Sequence, residues 1–188
     1  MPLELYIGCM FANKTQTLIN EYRKWSRIKK TICINFIGDD RYTKNNANDD
    51  IAFMYSHNLD KIPCILTDKL KSIEMQILRD AEVILINEIQ FFDDAIEFCK
   101  VWCDNHNKHI IACGLDGDYK REPMGHILQL ISLCDNVTKL KALCEVCSDG
   151  THGIFSWKLT DNENKIDIGT HYISVCRKHY CELSNNQK

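Results

Sequence analysis

The sequence has no long apolar run and no excess of basic residues, and these two absences exclude two classes of protein. Its longest uninterrupted apolar stretch extends from Ile110 to Leu115, far below the roughly 20 residues that a membrane-spanning helix requires. With Lys+Arg at 23 and Asp+Glu at 26, the 188-residue chain has a net charge of -3, whereas proteins that mainly bind nucleic acid usually carry a basic excess. No charged segment followed by an apolar one opens the sequence. We therefore expect a cytoplasmic protein with no membrane and no nucleic-acid partner.

Eleven cysteines are the unusual feature of the composition. Their number is odd and the sequence shows no secretion signal, which argues against a disulfide framework. Most lie inside apolar segments, where a cysteine acts as a small buried hydrophobic residue. Six positions are interpreted in this way: Cys33, Cys64, Cys99, Cys103, Cys113 and Cys134.

Short apolar segments alternate with helical patterns along most of the chain. Strands are predicted at Leu3–Ile7, Thr31–Phe36, Ile62–Leu66 (at a sheet edge), Val83–Ile86, His109–Gly114 and Val137–Ala142. Helices are predicted from Thr15 onward and over Leu70–Ala81, 93–106 and Gly125–Cys134. Strands that alternate with helices form a parallel sheet with helices on both faces. We therefore predict an α/β domain at residues 1–142, followed at 143–188 by a small lobe of short strands and paired cysteines.

A phosphate-binding loop follows the first predicted strand. It reads Gly8-Cys9-Met10-Phe11-Ala12-Asn13-Lys14-Thr15 and matches the pattern G-x-x-x-x-G-K-[ST], except that Asn13 replaces a glycine. In such loops backbone N–H groups face a polyphosphate, the lysine reaches its oxygens, and the hydroxyl binds Mg²⁺. The helix that follows adds the anion preference of its N-terminus. If the missing glycine adopts a positive φ, asparagine is among the residues that tolerate it best.

The buried strand Val83–Ile86 is followed by Asn87 and Glu88. In phosphoryl-transfer folds this strand end faces the phosphates and offers an acid to the metal or the nucleophile. Beside a substrate hydroxyl, Glu88 could accept the proton as that oxygen attacks phosphorus. A carboxylate that caps the following helix explains Glu88 equally well.

Two pairs of candidate metal ligands lie near the C-terminus, Cys144-x-x-Cys147 and Cys176-x-x-His179. Four N/S ligands in two such pairs predict a closed, structural, tetrahedral Zn²⁺ site. The metal would hold together a lobe whose core is too small to be stable by itself. Cys181 is a competing ligand, but the spacing favours His179.

Together these motifs resemble the zinc-containing, RecA-like class of thymidine kinases over roughly residues 3–181. Further segments carry the resemblance: Asp40-Arg41-Tyr42, Asn87-Glu88-Ile89-Gln90-Phe91-Phe92, Leu115-Asp116-Gly117-Asp118-Tyr119, Arg121-Glu122-Pro123-Met124-Gly125, and Tyr172 four residues before Cys176. The resemblance implies a P-loop fold and transfer of the ATP γ-phosphate to the 5′-hydroxyl of thymidine, a salvage reaction for DNA synthesis.

The resemblance also implies roles for individual residues. The loop from Gly8 to Thr15, with Arg41 and Asn87, would bind ATP and its Mg²⁺, and Glu88 would be the general base. The substrate pocket would contain Met10, Phe91, Leu115, Tyr119, Met124, Ser156, Ile168 and Tyr172. A lasso at roughly Ser148 to Ile168 would close over the base. The implied assembly is a homotetramer with thymidine triphosphate as feedback ligand.

Two departures from the family pattern, Asn13 and Asn87, bear on activity. Asn87 stands where the family has Asp and loses a formal charge opposite Mg²⁺, so we expect weaker metal binding or lower turnover in an unchanged fold. Tyr119 and Met124 also differ from the residues of the family pattern. This difference leaves open whether deoxyuridine or deoxycytidine is a substrate. An alternative is a catalytically weak nucleoside- or nucleotide-binding paralogue, because Asn13 and Asn87 are both altered. A zinc-containing ATPase acting on nucleic acid is disfavoured by the net charge.

Overall fold

The computed structural model describes residues 1–38, 51–160 and 171–186. Within these ranges the strands are β1 Leu3–Ile7, β2 Thr31–Phe36, β3 Ala52–Tyr55, β4 Lys61–Thr67, β5 Val83–Ile86, β6 His109–Gly114, β7 Asn136–Lys139, β8 Ala142–Leu143, β9 His152–Gly153, β10 Phe155–Lys158 and β11 Tyr172–Val175. The α-helices are α1 Lys14–Trp25, α2 Met75–Asp80, α3 Ala95–Lys100, α4 Ile127–Leu130 and α5 Arg177–Asn186. None of the helices in these ranges is long and apolar enough to cross a membrane.

A seven-stranded sheet forms the centre of the molecule, in the order β3-β4-β2-β5-β6-β1-β7. Its neighbouring strands pair in parallel, except that β3 and β4 form an antiparallel hairpin. The predicted α/β fold with a mostly parallel sheet is confirmed. Because parallel strands end at the same edge of a sheet, β1, β5 and β6 bring the phosphate loop, Glu88 and Leu115 to one edge.

Helices cover both faces of this sheet because alternate side chains of its central strands point in opposite directions. On one face, Leu85 of β5 packs in a cluster with Leu18 of α1. On the other face, Ile84 packs in a larger cluster with Phe98 of α3 and Leu130 of α4. The bare apolar sequence of β5 therefore reflects burial on both sides.

The prediction that Ile62–Leu66 is an edge strand is wrong. The strand β4 that contains this segment lies between β2 and β3, and β3 forms the edge. The hairpin is held on the sheet by Met54 and Ile62, which are buried in the same cluster as α1. Apolar residues on both strands of the hairpin thus extend the core as far as the antiparallel edge strand β3.

Three predicted helices are shorter as α-helices than their apolar spacing indicates. The segments that depart from α geometry are the 3₁₀ turns Leu70–Ser72 and Ile131–Leu133 and the π turn Val101–Asn105. Leu70 and Trp102 are buried in the core cluster and Leu133 packs against it, and apolar spacing does not distinguish tight or wide turns from α-helix. The predicted strand Val137–Ala142 is likewise divided between β7 and β8.

The C-terminal segment has a small hydrophobic cluster of its own. Strands β10 and β11 pair antiparallel, as do β8 and β9. Trp157, Val175 and Tyr180 are buried there together with Cys144 and Cys176. A cluster of this size is normally stabilised by a disulfide or a metal.

The cysteines that were interpreted as apolar residues do pack in the two clusters of the sheet. Cys33, Cys99 and Cys113 are buried and the other three are half-buried. No disulfide forms among the cysteines, all of which lie in the described ranges. Burial raises the pKa of Cys103 and of Cys134 to about 11, so these thiols stay protonated at neutral pH.

Candidate functional site

The phosphate loop between β1 and α1 has two residues in the left-handed conformation. Phe11 has φ 62°, and Asn13 has φ 58° and ψ 25°. The backbone N–H of Ala12 donates to the carbonyl of Cys9, with N···O 3.4 Å. Asparagine visits this conformation more readily than other non-glycine residues. The replacement of glycine at position 13 is therefore compatible with the fold of the loop.

Lys14 is buried at the first turn of α1, inside the loop. Its Nζ donates to the carbonyl oxygen of Cys9 at 2.7 Å. Burial lowers the pKa of Lys14, and the negative charge of Glu88 partly opposes this shift. A desolvated ammonium group in a ring of backbone N–H groups would be stabilised by a bound anion.

The side chains of Thr15 and Asn87 meet beneath the loop. The Thr15 hydroxyl donates to Asn87 Oδ1 at 3.4 Å, and the Cys113 thiol donates to the same oxygen at 3.1 Å. Asn87 Nδ2 donates to Asn35 Oδ1 at 2.8 Å. Asn87 is fully buried, so these bonds satisfy its amide. The Thr15 and Asn87 oxygens are of the type that Mg²⁺ prefers, although neither carries a charge.

Glu88 follows Asn87 with a left-handed backbone, φ 52° and ψ 41°. It is 8% exposed and lines one cleft together with the phosphate loop and Leu115. A short 3₁₀ turn begins at Ile89, but within the described part of the chain the Glu88 side chain makes no capping hydrogen bond to it. The helix-cap explanation of this carboxylate is therefore not supported by its geometry.

The tip of the β3–β4 hairpin reaches the same cleft, which sequence analysis did not predict. Ser56, His57 and Asn58 line the cleft opposite the loop, and the His57 ring lies 5.4 Å from that of Phe11. Asp60 fixes the tip to α1 by accepting from Gln16 at 2.9 Å and from Arg23 at 2.8 Å. A Ser-His-Asn turn has no signal that distinguishes it from any other loop, so only the fold reveals this position.

Two of the predicted nucleoside-binding residues, Met10 and Leu115, line the cleft, and Tyr119 and Tyr172 lie beside Lys158. The carbonyl of Tyr119 accepts a 2.8 Å hydrogen bond from the Tyr180 hydroxyl, and Lys158 Nζ lies 5.2 Å from the centre of the Tyr119 ring. Lys158 pairs with Tyr172 between β10 and β11. Tyr119 and Tyr172 thus both adjoin Lys158.

The other predicted substrate residues are placed less directly. The Ser156 hydroxyl accepts from the backbone N–H of Met10 at 3.0 Å, so both lie at the phosphate loop. The Phe91 ring packs 5.1 Å from that of Phe36, and Met124 is half-exposed. Arg41, Ile168 and the distal part of the predicted lasso lie outside the described residues.

The four predicted metal ligands converge in the C-terminal lobe. Sγ of Cys144, Cys147 and Cys176 and a ring nitrogen of His179 all lie within 4.8 Å of one another. His179 Nδ1 is 3.5 Å, 3.3 Å and 3.4 Å from the three sulfurs, and the sulfurs of Cys147 and Cys176 are 3.8 Å apart. Tetrahedral Zn²⁺ with bonds of ordinary length would hold S and S about 3.8 Å and S and N about 3.6 Å apart. The residue types and these distances therefore fit a zinc site.

The electrostatics of this cluster favour a thiolate at one position. Desolvation opposes ionisation of Cys144, but hydrogen bonds from the backbone N–H groups of Cys147 and Cys176 and from His179 lower its pKa to about 6. Desolvation and the neighbouring Cys144 raise the pKa of Cys147 to about 11. The Nε2 of His179 lies 3.8 Å from the carboxylate of Glu182, which is longer than a hydrogen bond. Cys181 is exposed and lies outside the cluster.

Comparison with known proteins shows the family to which the chain belongs. A family model described as thymidine kinase matches residues 1–180 of the chain. The chain belongs to the thymidine kinase family. This membership confirms the resemblance predicted from the ordered sequence motifs.

Relatives of this thymidine kinase family member come from viruses and plants. The thymidine kinase of Fowlpox virus is 35% identical over 187 residues, which cover 97% of each chain. That of Rabbit fibroma virus is 36% identical over 181 residues and covers 95% of each chain. Thymidine kinase a of Arabidopsis thaliana is 35% identical over 187 residues, which cover 95% of this chain and 74% of the relative. The similarity therefore extends through both the sheet and the metal cluster.

Proposed function

We propose that this protein is a thymidine kinase that transfers the γ-phosphate of ATP to the 5′-hydroxyl of thymidine. The observation that carries the proposal is the cleft in which the phosphate loop, Glu88 and Leu115 meet. A polyphosphate site, a buried carboxylate and an apolar wall are the three parts that phosphorylation of a nucleoside requires. The alternative of a catalytically weak binding paralogue is less favoured, because Asn13 keeps the loop conformation and Asn87 keeps its position beside Thr15.

The phosphate loop would bind ATP through its backbone N–H groups and Lys14. Burial lowers the pKa of Lys14, which means that its ammonium form is poorly solvated. The negative charge of the β- and γ-phosphates would stabilise this charged form. Thr15 and Asn87 would hold the Mg²⁺ that accompanies ATP, with Arg41 as a further cation. When bound, the metal neutralises phosphate charge.

Glu88 would act as the general base. Its carboxylate accepts the proton of the 5′-hydroxyl while that oxygen bonds to the γ-phosphorus and the bond from phosphorus to the β,γ-bridging oxygen breaks. The products are thymidine monophosphate and ADP. Glu88 is 8% exposed and lines the cleft together with Lys14, so the proton acceptor and the phosphate-binding lysine would act on the same bound substrates.

The nucleoside would lie between Leu115 and the C-terminal lobe. We assign the base pocket to Met10, Phe91, Leu115, Tyr119, Met124, Ser156, Ile168 and Tyr172, with the lasso as its cover. Lys158, whose Nζ lies by the Tyr119 ring, and Tyr180, which donates to the Tyr119 backbone carbonyl, support the position of that residue. This connection between the lobe and the pocket favours a lobe that shapes substrate binding.

Several further properties follow from the family resemblance and belong to the same proposal. Zn²⁺ is a structural ion, which the donor distances in the lobe support. Residues 1–142 form the nucleotide-binding domain and 143–188 the zinc lobe. The homotetramer, feedback by thymidine triphosphate and the cytoplasmic location rest on the resemblance alone.

A phosphoryl-transfer assay tests the proposal directly. Zinc-loaded protein with ATP and Mg²⁺ is expected to phosphorylate thymidine with a higher kcat/KM than deoxyuridine or deoxycytidine. Product is identified by chromatography and ADP is counted in parallel, so that ATP hydrolysis without transfer is detected. Folded protein that binds ATP and thymidine without turnover would favour the binding paralogue.

Replacing Asn87 by Asp is expected to strengthen Mg²⁺ binding about tenfold, because the carboxylate restores a charged oxygen ligand. Without the metal, the same change places a charge at a fully buried position and should destabilise the fold by about 1–3 kcal/mol. Relative to wild type, Asn87→Asp should therefore bind Mg²⁺ more tightly and be less stable in the absence of the metal. The measurements are the Mg²⁺ dependence of kcat at saturating ATP and thermal unfolding with and without the metal.

Asn136→Asp is the matched control for that experiment, because it makes the same charge change at an exposed position. It should alter neither the Mg²⁺ dependence nor the stability. If Asn87→Asp also leaves the Mg²⁺ dependence unchanged, position 87 does not face the metal. A rate gain above about 100-fold, more than restored metal binding accounts for, would favour the catalytically weak alternative.

A further inference from the structure

Gln90 lies almost completely buried between the candidate base and the candidate nucleoside pocket. It is 4% exposed. Its Nε2 donates to Glu88 Oε2 at 2.7 Å, and its Oε1 accepts from the backbone N–H of Leu115 at 3.2 Å. One carboxamide therefore joins a side chain assigned to proton transfer to the chain segment assigned to the base pocket.

The orientation of this carboxamide is fixed by its two partners. A backbone N–H can only donate, so Gln90 Oε1 faces Leu115. An ionised carboxylate can only accept, so Nε2 faces Glu88. Rotating the amide by 180° would lose both bonds, and the hydrogen bond to a charged acceptor is the stronger type.

Two glycines leave the space that Gln90 occupies. A Cβ atom at Gly114 would overlap the Gln90 carboxamide oxygen, and one at Gly125 would overlap the Gln90 backbone carbonyl. Gly125 also has φ 49°, which disfavours other residues there. Gly114 is thus fitted to the side chain of Gln90 and Gly125 to its backbone.

We propose that Gln90 is a positioning residue that holds the Glu88 carboxylate for proton transfer and couples it to the nucleoside pocket. The proposal rests on the function proposed above. Glu88 needs such support because its backbone is left-handed, a conformation that persists only where the surroundings hold it. A hydrogen bond at Oε2 restricts rotation of the Glu88 carboxylate. The hydrogen bond to Leu115 makes the orientation of this carboxylate depend on the wall of the cleft that would contact the nucleoside.

Two substitutions at Gln90 test the proposal. Gln90→Met keeps the length of the side chain and removes both hydrogen bonds. We expect kcat to fall about 30-fold, in the range for a reacting group displaced by a fraction of an ångström, with the KM for ATP almost unchanged. The carboxylate loses a hydrogen bond to its charged form and protonates more readily, so the acidic limb of the pH–rate profile moves to higher pH.

Gln90→Glu is the more specific test. When protonated, the introduced carboxyl reproduces the donor and the acceptor of the amide; when ionised, it repels Glu88. Relative to wild type, its kcat should therefore recover as the pH is lowered from about 8 to about 6, because two facing carboxylates share one proton. A purely structural defect would not produce this recovery.

The controls separate this inference from the proposed function. Gln129→Met changes an exposed glutamine and should leave kcat and the pH profile unchanged. An inactive wild-type protein would refute the kinase proposal itself. An active wild type whose folded Gln90→Met variant keeps its kcat and pH profile would overturn the role of Gln90. If Gln90→Met does not fold, Gly114→Ala displaces the intact carboxamide, and a normal pH profile in that variant overturns the inference equally.

Discussion

Glu88→Gln is expected to lower kcat for thymidine phosphorylation by about 1,000-fold, the central range for loss of a general base. The amide keeps the size of the side chain but cannot accept the proton of the 5′-hydroxyl at neutral pH. The carboxylate lines the same cleft as the phosphate loop, so the base is placed on the side of the reacting groups. We expect ATP and thymidine still to bind.

The same substitution should change how ATP binding depends on pH. Burial lowers the pKa of Lys14, and the charge of Glu88 raises it. Without that charge the pKa of Lys14 falls further, so the ammonium group deprotonates at a lower pH than in the wild type. In Glu88→Gln the affinity for ATP should therefore begin to fall at a lower alkaline pH, as measured by titration with a fluorescent ATP analogue.

Glu97→Gln provides the matched control, since it makes the same change at an exposed position of α3. It should retain wild-type kcat and the wild-type pH dependence of ATP binding. A Glu88→Gln variant with nearly full kcat would show that another group accepts the proton. A variant that loses ATP binding at neutral pH would instead assign Glu88 a role in forming the phosphate site.

The central fold could be predicted because its strands are buried on both faces. β5 is apolar throughout and β6 is apolar from Ile110 to Gly114, which is the pattern of strands buried on both faces. The hairpin of β3 and β4 was harder to predict. Ala52–Tyr55 is a short segment of four apolar residues whose place in the sheet does not follow from its own sequence, because its pairing with β4 and its packing against α1 join separate parts of the chain.

The candidate site likewise has features that local sequence patterns predict and features that depend on the fold. The ligand spacing predicted the metal cluster, since pairs separated by two residues fix their own geometry on a turn. The left-handed Asn13 was foreseeable because the loop pattern names a glycine there. Gln90 was not foreseeable as a positioning residue, since its contacts with Leu115 and Gly125 join segments far apart in the sequence. The role of the hairpin tip depends on topology for the same reason.

Removing a zinc ligand is the second change with a large expected effect. In Cys176→Ser the protein should lose its bound zinc, and kcat/KM for thymidine should fall about 100-fold, while ATP binding changes little. Two of the five buried residues in the hydrophobic cluster of the lobe, Cys144 and Cys176, are themselves ligands. Without the metal, few apolar side chains remain to hold the lobe together, so metal binding and folding of the lobe are coupled.

The selective effect on thymidine follows from the contacts of α5. Tyr180 follows His179 directly in this helix, and its hydroxyl donates to the carbonyl of Tyr119. The guanidinium of Arg121 lies 4.3 Å from the centre of the Tyr180 ring. When α5 loosens, the segment that carries Tyr119 loses both contacts, whereas the phosphate loop stays attached to β1 and α1 of the sheet even if its hydrogen bond to Ser156 is lost.

Cys181→Ser is the matched control, because Cys181 lies on the same helix, is exposed and stands outside the cluster. It should retain one zinc per chain and full activity, as measured by metal analysis and by kcat/KM for each substrate. Circular dichroism should show that Cys176→Ser keeps its sheet and helices at the assay temperature. If Cys176→Ser keeps its zinc, Cys181 or a solvent molecule completes the site. If it loses zinc and retains the wild-type KM for thymidine, the lobe does not shape the nucleoside pocket, and the contact between Tyr180 and Tyr119 has no part in substrate binding.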